Sequence, residues 1–185
     1  LPLGLVVSFG SMSKFAPLRA LVKGFVWIIR GTPLMLQLII IFYGPGLMFG
    51  LPAMPRFTAT ILAFSINYAA YFAEIYRGGF ESIPKGQTEA AQVLGYSKFQ
   101  TFYMIRLPQM FKIVLPSITN ELITLVKDTS LSFVIAIPEM FTVAKQIAAA
   151  DSSIMALLVA GVFYYIFNII VAWFMEYVEK RMDYY

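Results

Sequence analysis

The chain has 185 residues, of which 59% are hydrophobic and 13% charged, with 14 basic against 10 acidic side chains and a mean hydropathy of +0.75; so apolar a composition belongs to an integral membrane protein. No His and no Cys occur, which excludes His- or Cys-based metal sites, a disulfide framework and thiol catalysis. The net charge of +4 is spread over short loops between apolar runs, so it is read as membrane anchoring and not as a nucleic-acid patch.

The chain opens in an apolar stretch, Leu1 to Phe9. It is too short for a crossing of roughly 20 residues and is read as the tail of a truncated first helix. A cleaved signal peptide would carry its positive charge before the apolar run instead of after it. Lys14, Arg19, Lys23 and Arg30 follow with no acid among them, which places this loop in the cytoplasm. Leu34 to Pro55 is uncharged but interrupted by Gly44-Pro45-Gly46, so its helix is expected to end near Tyr43 or to resume only briefly. Phe57 to Ala73 is the next span, closed by Glu74. Residues 77–107 form a polar island with Arg77, Lys85, Lys98 and Arg106, which alternation puts inside. A span from about Leu107 to Ile137 carries charges in its middle and Pro at 108, 116 and 138. Residues 138–151, with Lys145 against Glu139 and Asp151, are expected as an outer loop. Ser152 to Met175 is long enough to cross with some tilt, and Lys180 and Arg181 return the tail to the cytoplasm.

Within the island, Ser82 to Gln87 reads as a turn. A short helix is expected from about Thr88, with Thr88 as N-cap and Glu89 near the positive end of the helix dipole. Ala90 and Ala91 make a surface low enough for a groove on another protein to close over it. Gly95 is expected to end that helix in the left-handed conformation. A second short helix should run from Lys98 to Arg106, and Leu107-Pro108 should stop it. No Gly-Lys dipeptide occurs, hence no GxxxxGK[ST] phosphate loop, and the chain is not itself an ATPase of that type.

Two polar faces interrupt the apolar spans. Asn67, Tyr71 and Glu74 fall at i, i+4 and i+7 on one helix face. An ionisable residue there should line a cavity, although Glu74 also has Arg77 within reach, and Asn67 has a bland use as a helix-to-helix bond. At 100° per residue, Ser117, Asn120, Glu121, Thr124, Lys127 and Asp128 share an arc of roughly 120°, with Ile118, Leu122, Leu125 and Val126 outside it. Such a face lines a watery path, a dimer interface or both. Mutual pairing of Glu121, Lys127 and Asp128 would equally keep it inside a bundle. Together the two faces offer both anionic and cationic contacts to a polar solute in such a path.

The spacing Glu89-Ala90-Ala91, Gly95, Ile105, Leu107-Pro108 resembles the EAA loop of ABC-importer permeases, filling every fixed position of EAA-x3-G-x9-I-x-LP. Arg30-Gly31-Thr32-Pro33-Leu34 with Gln37, Glu74-Ile75-Tyr76-Arg77-Gly78-Gly79 and Lys127-Asp128-Thr129-Ser130-Leu131 look like further segments of the polar amino-acid, histidine/glutamine-type permeases. The resemblance covers most of residues 8–180. It implies an all-α membrane bundle of five transmembrane helices, the first truncated here, with short cytoplasmic coupling helices and one permease domain over residues 1–185. It implies an importer subunit in a bacterial-type cytoplasmic membrane, carrying a polar or charged amino acid, without covalent chemistry or a cofactor of its own. The implied partners are two ATPase subunits that bind ATP and Mg, a second permease subunit, identical or not, and an extracytoplasmic binding protein. The competing reading is an ion- or proton-coupled transporter or channel that uses Glu74, Glu121, Lys127 and Asp128 as a relay. It leaves the EAA loop idle, and no inverted repeat supports it.

Overall fold

The computed structural model describes residues 1–182; the last three residues of the expected domain lie outside the described ones. In chain order these form α1 (Pro2–Ser11), α2 (Ala16–Arg30), α3 (Leu34–Phe49), α4 (Arg56–Ser82), α5 (Lys85–Val93), a single turn α6 (Lys98–Gln100) running into a π-helical segment (Thr101–Arg106), α7 (Leu107–Asp128) with a 3₁₀ extension (Thr129–Ile135), α8 (Met140–Ala150) and α9 (Met155–Arg181). No strand occurs among the described residues, so the expected all-α membrane fold holds.

By length and composition α9 can cross a bilayer alone. Two bent pairs, α2 with α3 at 105° and the run Lys98–Ile135 with α8 at 61°, bring the candidates that meet this test among the described residues to as many as three. The expected span Phe57 to Ala73 lies in α4, whose 27 residues suffice in length but include Asn67, Tyr68, Tyr71 and Glu74. That composition follows from where α4 sits. Ala59, Ala63, Ala70 and Ala73 are almost fully buried, so much of the helix meets protein instead of lipid and has less need of an apolar surface.

The described residues divide into two compact units, one of Leu1–Trp27, Tyr68–Asn120 and 175–182, the other of Ile28–Asn67 and Glu121–Phe174. In the first, glycines set how closely helices approach. A Cβ on Gly4 of α1 would lie 2.5 Å from Phe72 Cβ on α4, and one on Gly79 of α4 would lie 2.3 Å from Val114 Cγ1 on α7. Close backbone approach of this kind is how apolar helices pack where no hydrophobic driving force separates helix from lipid. Phe9, Phe80 and Phe102 then form a ring cluster, with centroids 5.9, 5.9 and 5.7 Å apart.

In the second unit, α3 and α8 both pack on the 3₁₀ segment, with Leu38 and Ile135 fully buried. Phe133 meets Phe141 edge-on at 6.1 Å, and Lys145 lies 5.1 Å over the Phe133 ring. Glu139 caps α8: its carboxylate accepts from the Phe141 and Thr142 amides, the Thr142 hydroxyl and the Tyr164 hydroxyl of α9. Losing a carboxylate cap costs about 0.5–2 kcal/mol, and here the bridge to α9 goes with it. Glu139→Ala should therefore accelerate amide hydrogen exchange over Met140–Ala144, whereas unchanged protection there would show the cap to be incidental.

Several local expectations are corrected. Gly44-Pro45-Gly46 does not break α3, which continues to Phe49 and ends on Gly50 at φ +63°. Pro45 removes one hydrogen-bond donor, but in an apolar segment unwinding would orphan more groups than the proline does. The basic stretch read as a loop contains α2, and the expected outer loop 138–151 contains α8. Both were hidden because loops were identified by their charge. Pro108 does not stop a helix: Thr101–Arg106 is wound as π-helix and leads straight into α7. A π register upstream moves carbonyls off the i−4 position that a proline ring would strike.

Candidate functional site

The expected coupling segment contains a short exposed helix, α5. Ser82 closes α4 by donating to the Gly78 carbonyl at 2.6 Å, Ile83 is buried, and α5 starts at Lys85 with Pro84 in the N-cap position. Thr88 is therefore not the N-cap, and Glu89 falls in the second turn, where the dipole is weak. The helix begins earlier because Pro84, extended at ψ 136° just outside it, turns its carbonyl to accept from the Gln87 N–H at 3.1 Å as the first turn opens.

The C-terminal end agrees with the sequence. Gly95 has φ +80°, its N–H donates to the Gln92 carbonyl at 3.0 Å and Tyr96 N–H to the Ala91 carbonyl at 3.0 Å. That bond pair is the Schellman motif. Glu89 is exposed and Ala90 half-buried, while Ala91 is buried, so of the two alanines Ala90 belongs to the outer surface and Ala91 to the packed side. Ser97 and Gln100 form a reciprocal capping box that restarts the chain as α6. Ile105 and Leu107 are half-buried and Pro108 is exposed.

Sequence reasoning missed the apolar residues of this surface. Val93 is 88% exposed, and Leu94, Phe99, Tyr103 and Met104 are also bare. An apolar cluster on a polar island was a signal for them. It also missed an aromatic mount, Phe102 of the π segment stacked on Phe80 of α4, with the Arg106 guanidinium 5.6 Å over the Phe80 ring.

The expected polar faces differ in their partners. Arg77 forks between two carboxylates, Nε and Nη2 donating to Glu74 at 3.1 and 2.7 Å and Nη1 to Glu81 at 2.6 Å. The bond to Glu74, then that to Glu81, keeps the guanidinium protonated well above its ordinary range. Asn67 is buried and donates to the Gln37 amide oxygen at 3.0 Å. The Gln37 amide nitrogen in turn donates to the Ile29 carbonyl at 2.8 Å and the Thr32 hydroxyl at 2.9 Å. This network ties α4 to the Arg30-Gly31-Thr32-Pro33 turn. Tyr71 is half-buried.

On α7 the polar side is open and the apolar side packed. Ser117, Asn120, Thr124 and Lys127 are exposed, Glu121 and Asp128 half-buried, while Val114, Leu115 and Ile118 are buried. A cavity of about 610 Å³ between α8 and α9, lined by Met140, Val143, Ile147, Val159 and Phe163 with Asp151 and Ser153 at its edge, is too apolar for a zwitterion. Among the described residues no group of three or more carboxylates could hold a metal ion.

Comparison with known proteins fits this arrangement. The family of binding-protein-dependent transport system inner membrane components matches residues 1–184. The L-cystine transport system permease protein TcyB of Bacillus subtilis (strain 168) is 37% identical over 99% of this chain and 78% of its own length. The arginine transport system permease protein ArtQ of the same organism is 37% identical over 97% and 82%. A crystal structure of an amino acid ABC transporter with histidines superposes with a TM-score of 0.87 at 30% identity, covering 97% of this chain and 83% of that one. The MetNI methionine ABC transporter, at a TM-score of 0.79 and 18% identity over 98% and 85%, shares the fold. By a match along nearly its whole length, the chain belongs to the family of binding-protein-dependent transport system inner membrane components.

Proposed function

We propose that this chain is a permease subunit of an ATP-driven importer that carries a polar or charged amino acid across a bacterial-type cytoplasmic membrane. Beside it stand a second permease subunit, two ATPase subunits that hold ATP and Mg, and an extracytoplasmic binding protein. The observation that carries the reading is the exposed α5 helix, bare at Val93 and Leu94 and braced by the Gly95 cap. A self-sufficient transporter has no use for such a surface. Closure of the ATPase pair draws the docking helices together, and the π segment, keyed to Phe80 and Phe9 by ring contacts, passes that displacement to α4 and α1.

The cargo follows from chemistry that its relatives share. Cystine and arginine, named for two of them, each present an α-ammonium and an α-carboxylate. The open α7 face supplies Glu121 and Asp128 against Lys127 for such a pair, with Ser117, Asn120 and Thr124 beside them. Glu74, with Tyr71 and Asn67, belongs to the same assignment, although Glu74 is held by Arg77 and Asn67 by Gln37. Exchanging one carboxylate for an amide removes a charge-assisted bond of about 1.5–3 kcal/mol. In the assembled transporter Glu121→Gln should therefore raise the substrate concentration that half-saturates ATPase by about tenfold or more. Glu74→Gln should lower detergent thermal stability more than it shifts that half-saturation. An unshifted Glu121→Gln transporter would remove the α7 face from the substrate path.

A further inference from the structure

Helix α2 has three distinct sides. Val22 and Val26 face inward: Val26 is buried, and a Cβ on Gly10 of α1 would lie 3.0 Å from Val22 Cγ2. Next round the helix, at i, i+4 and i+8, come Arg19, Lys23 and Trp27. Beyond them lie Ala20, Gly24 and Leu21, a side that is apolar and uncovered. Trp27 is 81% and Leu21 71% exposed, and a Cβ on Gly24 would meet nothing within 4 Å. Arg19 makes a long 3.5 Å bond to the Ser13 carbonyl, and no Asp or Glu precedes Glu74 in the chain.

We propose that α2 is a binding surface for anionic phospholipid. Its outer apolar side enters the acyl boundary at Leu21 and Trp27, and Arg19 and Lys23 hold headgroup phosphates. The order of sides points to lipid. A helix covered by another protein subunit needs an apolar face with satisfied charges, whereas this one sets two cations, without an ion pair among the described residues, next to a tryptophan at the edge of an apolar side. That is the arrangement of interfacial helices, whose aromatic ring sits at headgroup depth with basic residues above it. Charge complementarity selects anionic headgroups, since each basic residue close to such a surface is worth about fivefold in partitioning. The inference rests on the membrane placement of the chain and is independent of its cargo.

The chain has two tryptophans, so Trp173→Phe leaves Trp27 as this chain's one reporter and Trp27→Phe leaves Trp173, on exposed α9, the signal of the other subunits being subtracted with the variant that lacks both. The assembled transporter is reconstituted in phosphatidylcholine vesicles with and without phosphatidylglycerol, and quenching by doxyl-labelled phosphatidylglycerol is compared with that by doxyl-labelled phosphatidylcholine. Trp27 should be quenched severalfold more by the anionic probe, Trp173 about equally by both, and Arg19→Gln with Lys23→Gln should abolish the Trp27 preference. Equal quenching of Trp27 by the two probes, or a preference that survives the double substitution, overturns the proposal. Quenching of Trp173 but not of Trp27 also overturns it and gives the α2 surface to a protein neighbour. Absence of quenching at both positions would overturn the membrane placement itself.

Discussion

Gly79→Val is expected to lower the apparent melting temperature of the detergent-solubilised protein sharply, while Gly78→Val, one residue away, leaves it much less changed. The two glycines sit side by side in Arg77-Gly78-Gly79 yet face different surroundings. A Cβ on Gly79 would come within 2.3 Å of Val114 Cγ1 and 3.1 Å of Met110 Cγ, whereas one on Gly78 meets nothing within 4 Å. Val114 is itself buried, so it has little room to yield and α4 and α7 must separate. Overpacking of this kind costs about 1–3 kcal/mol or more, and in a chain of this length each kcal/mol is roughly 2–4 °C. The cause is checked by a cycle: Val114→Ala removes the methyl group in the way, so it should restore part of the stability lost in Gly79→Ala. Equal losses at positions 78 and 79, or no rescue, would show that the contact is not what limits the helix spacing.

That pair of glycines also marks how far the sequence could be read. Fold class was legible because it rests on composition and on the lengths of apolar runs, and Gly95 was expected to need a left-handed backbone and has it. Contacts between distant segments were not legible. Nothing local separates Gly79 from Gly78, pairs Asn67 with Gln37 thirty residues away, or brings Phe102 onto Phe80. Other misses came from rules that work in water. Proline and glycine at 44–46 are strong breakers in soluble chains, yet α3 runs through them, because an apolar environment raises the penalty for any open backbone group, and at Pro108 the π register upstream carries the helix on. Charge misled as well. Lys14 to Arg30, read as a loop, concealed α2, since a basic stripe and a loop look alike when only charges are counted.

The largest functional loss is expected at Gly95. A Cβ there would meet nothing within 4 Å, so the argument against a side chain is entirely one of backbone strain. At φ +80° an ordinary residue loses about 1–2 kcal/mol and a β-branched residue more. Valine relieves that strain by leaving the left-handed region, which breaks the Tyr96-to-Ala91 and Gly95-to-Gln92 bonds and turns α5 away from the π segment. Gly95→Val should therefore fold normally in the membrane but lose ATP-driven uptake by an order of magnitude or more, with weaker retention of the ATPase on purification. Asparagine tolerates this region best among the non-glycine residues, so Gly95→Asn should recover a large part of the uptake. Val93→Glu with Leu94→Glu separates shape from contact: it leaves the cap intact, places charge on the exposed apolar surface, and should abolish ATPase retention outright. Normal uptake in Gly95→Val would mean that the angle between α5 and its mount does not govern coupling, and normal retention in the double glutamate variant would move the docking surface elsewhere on the chain.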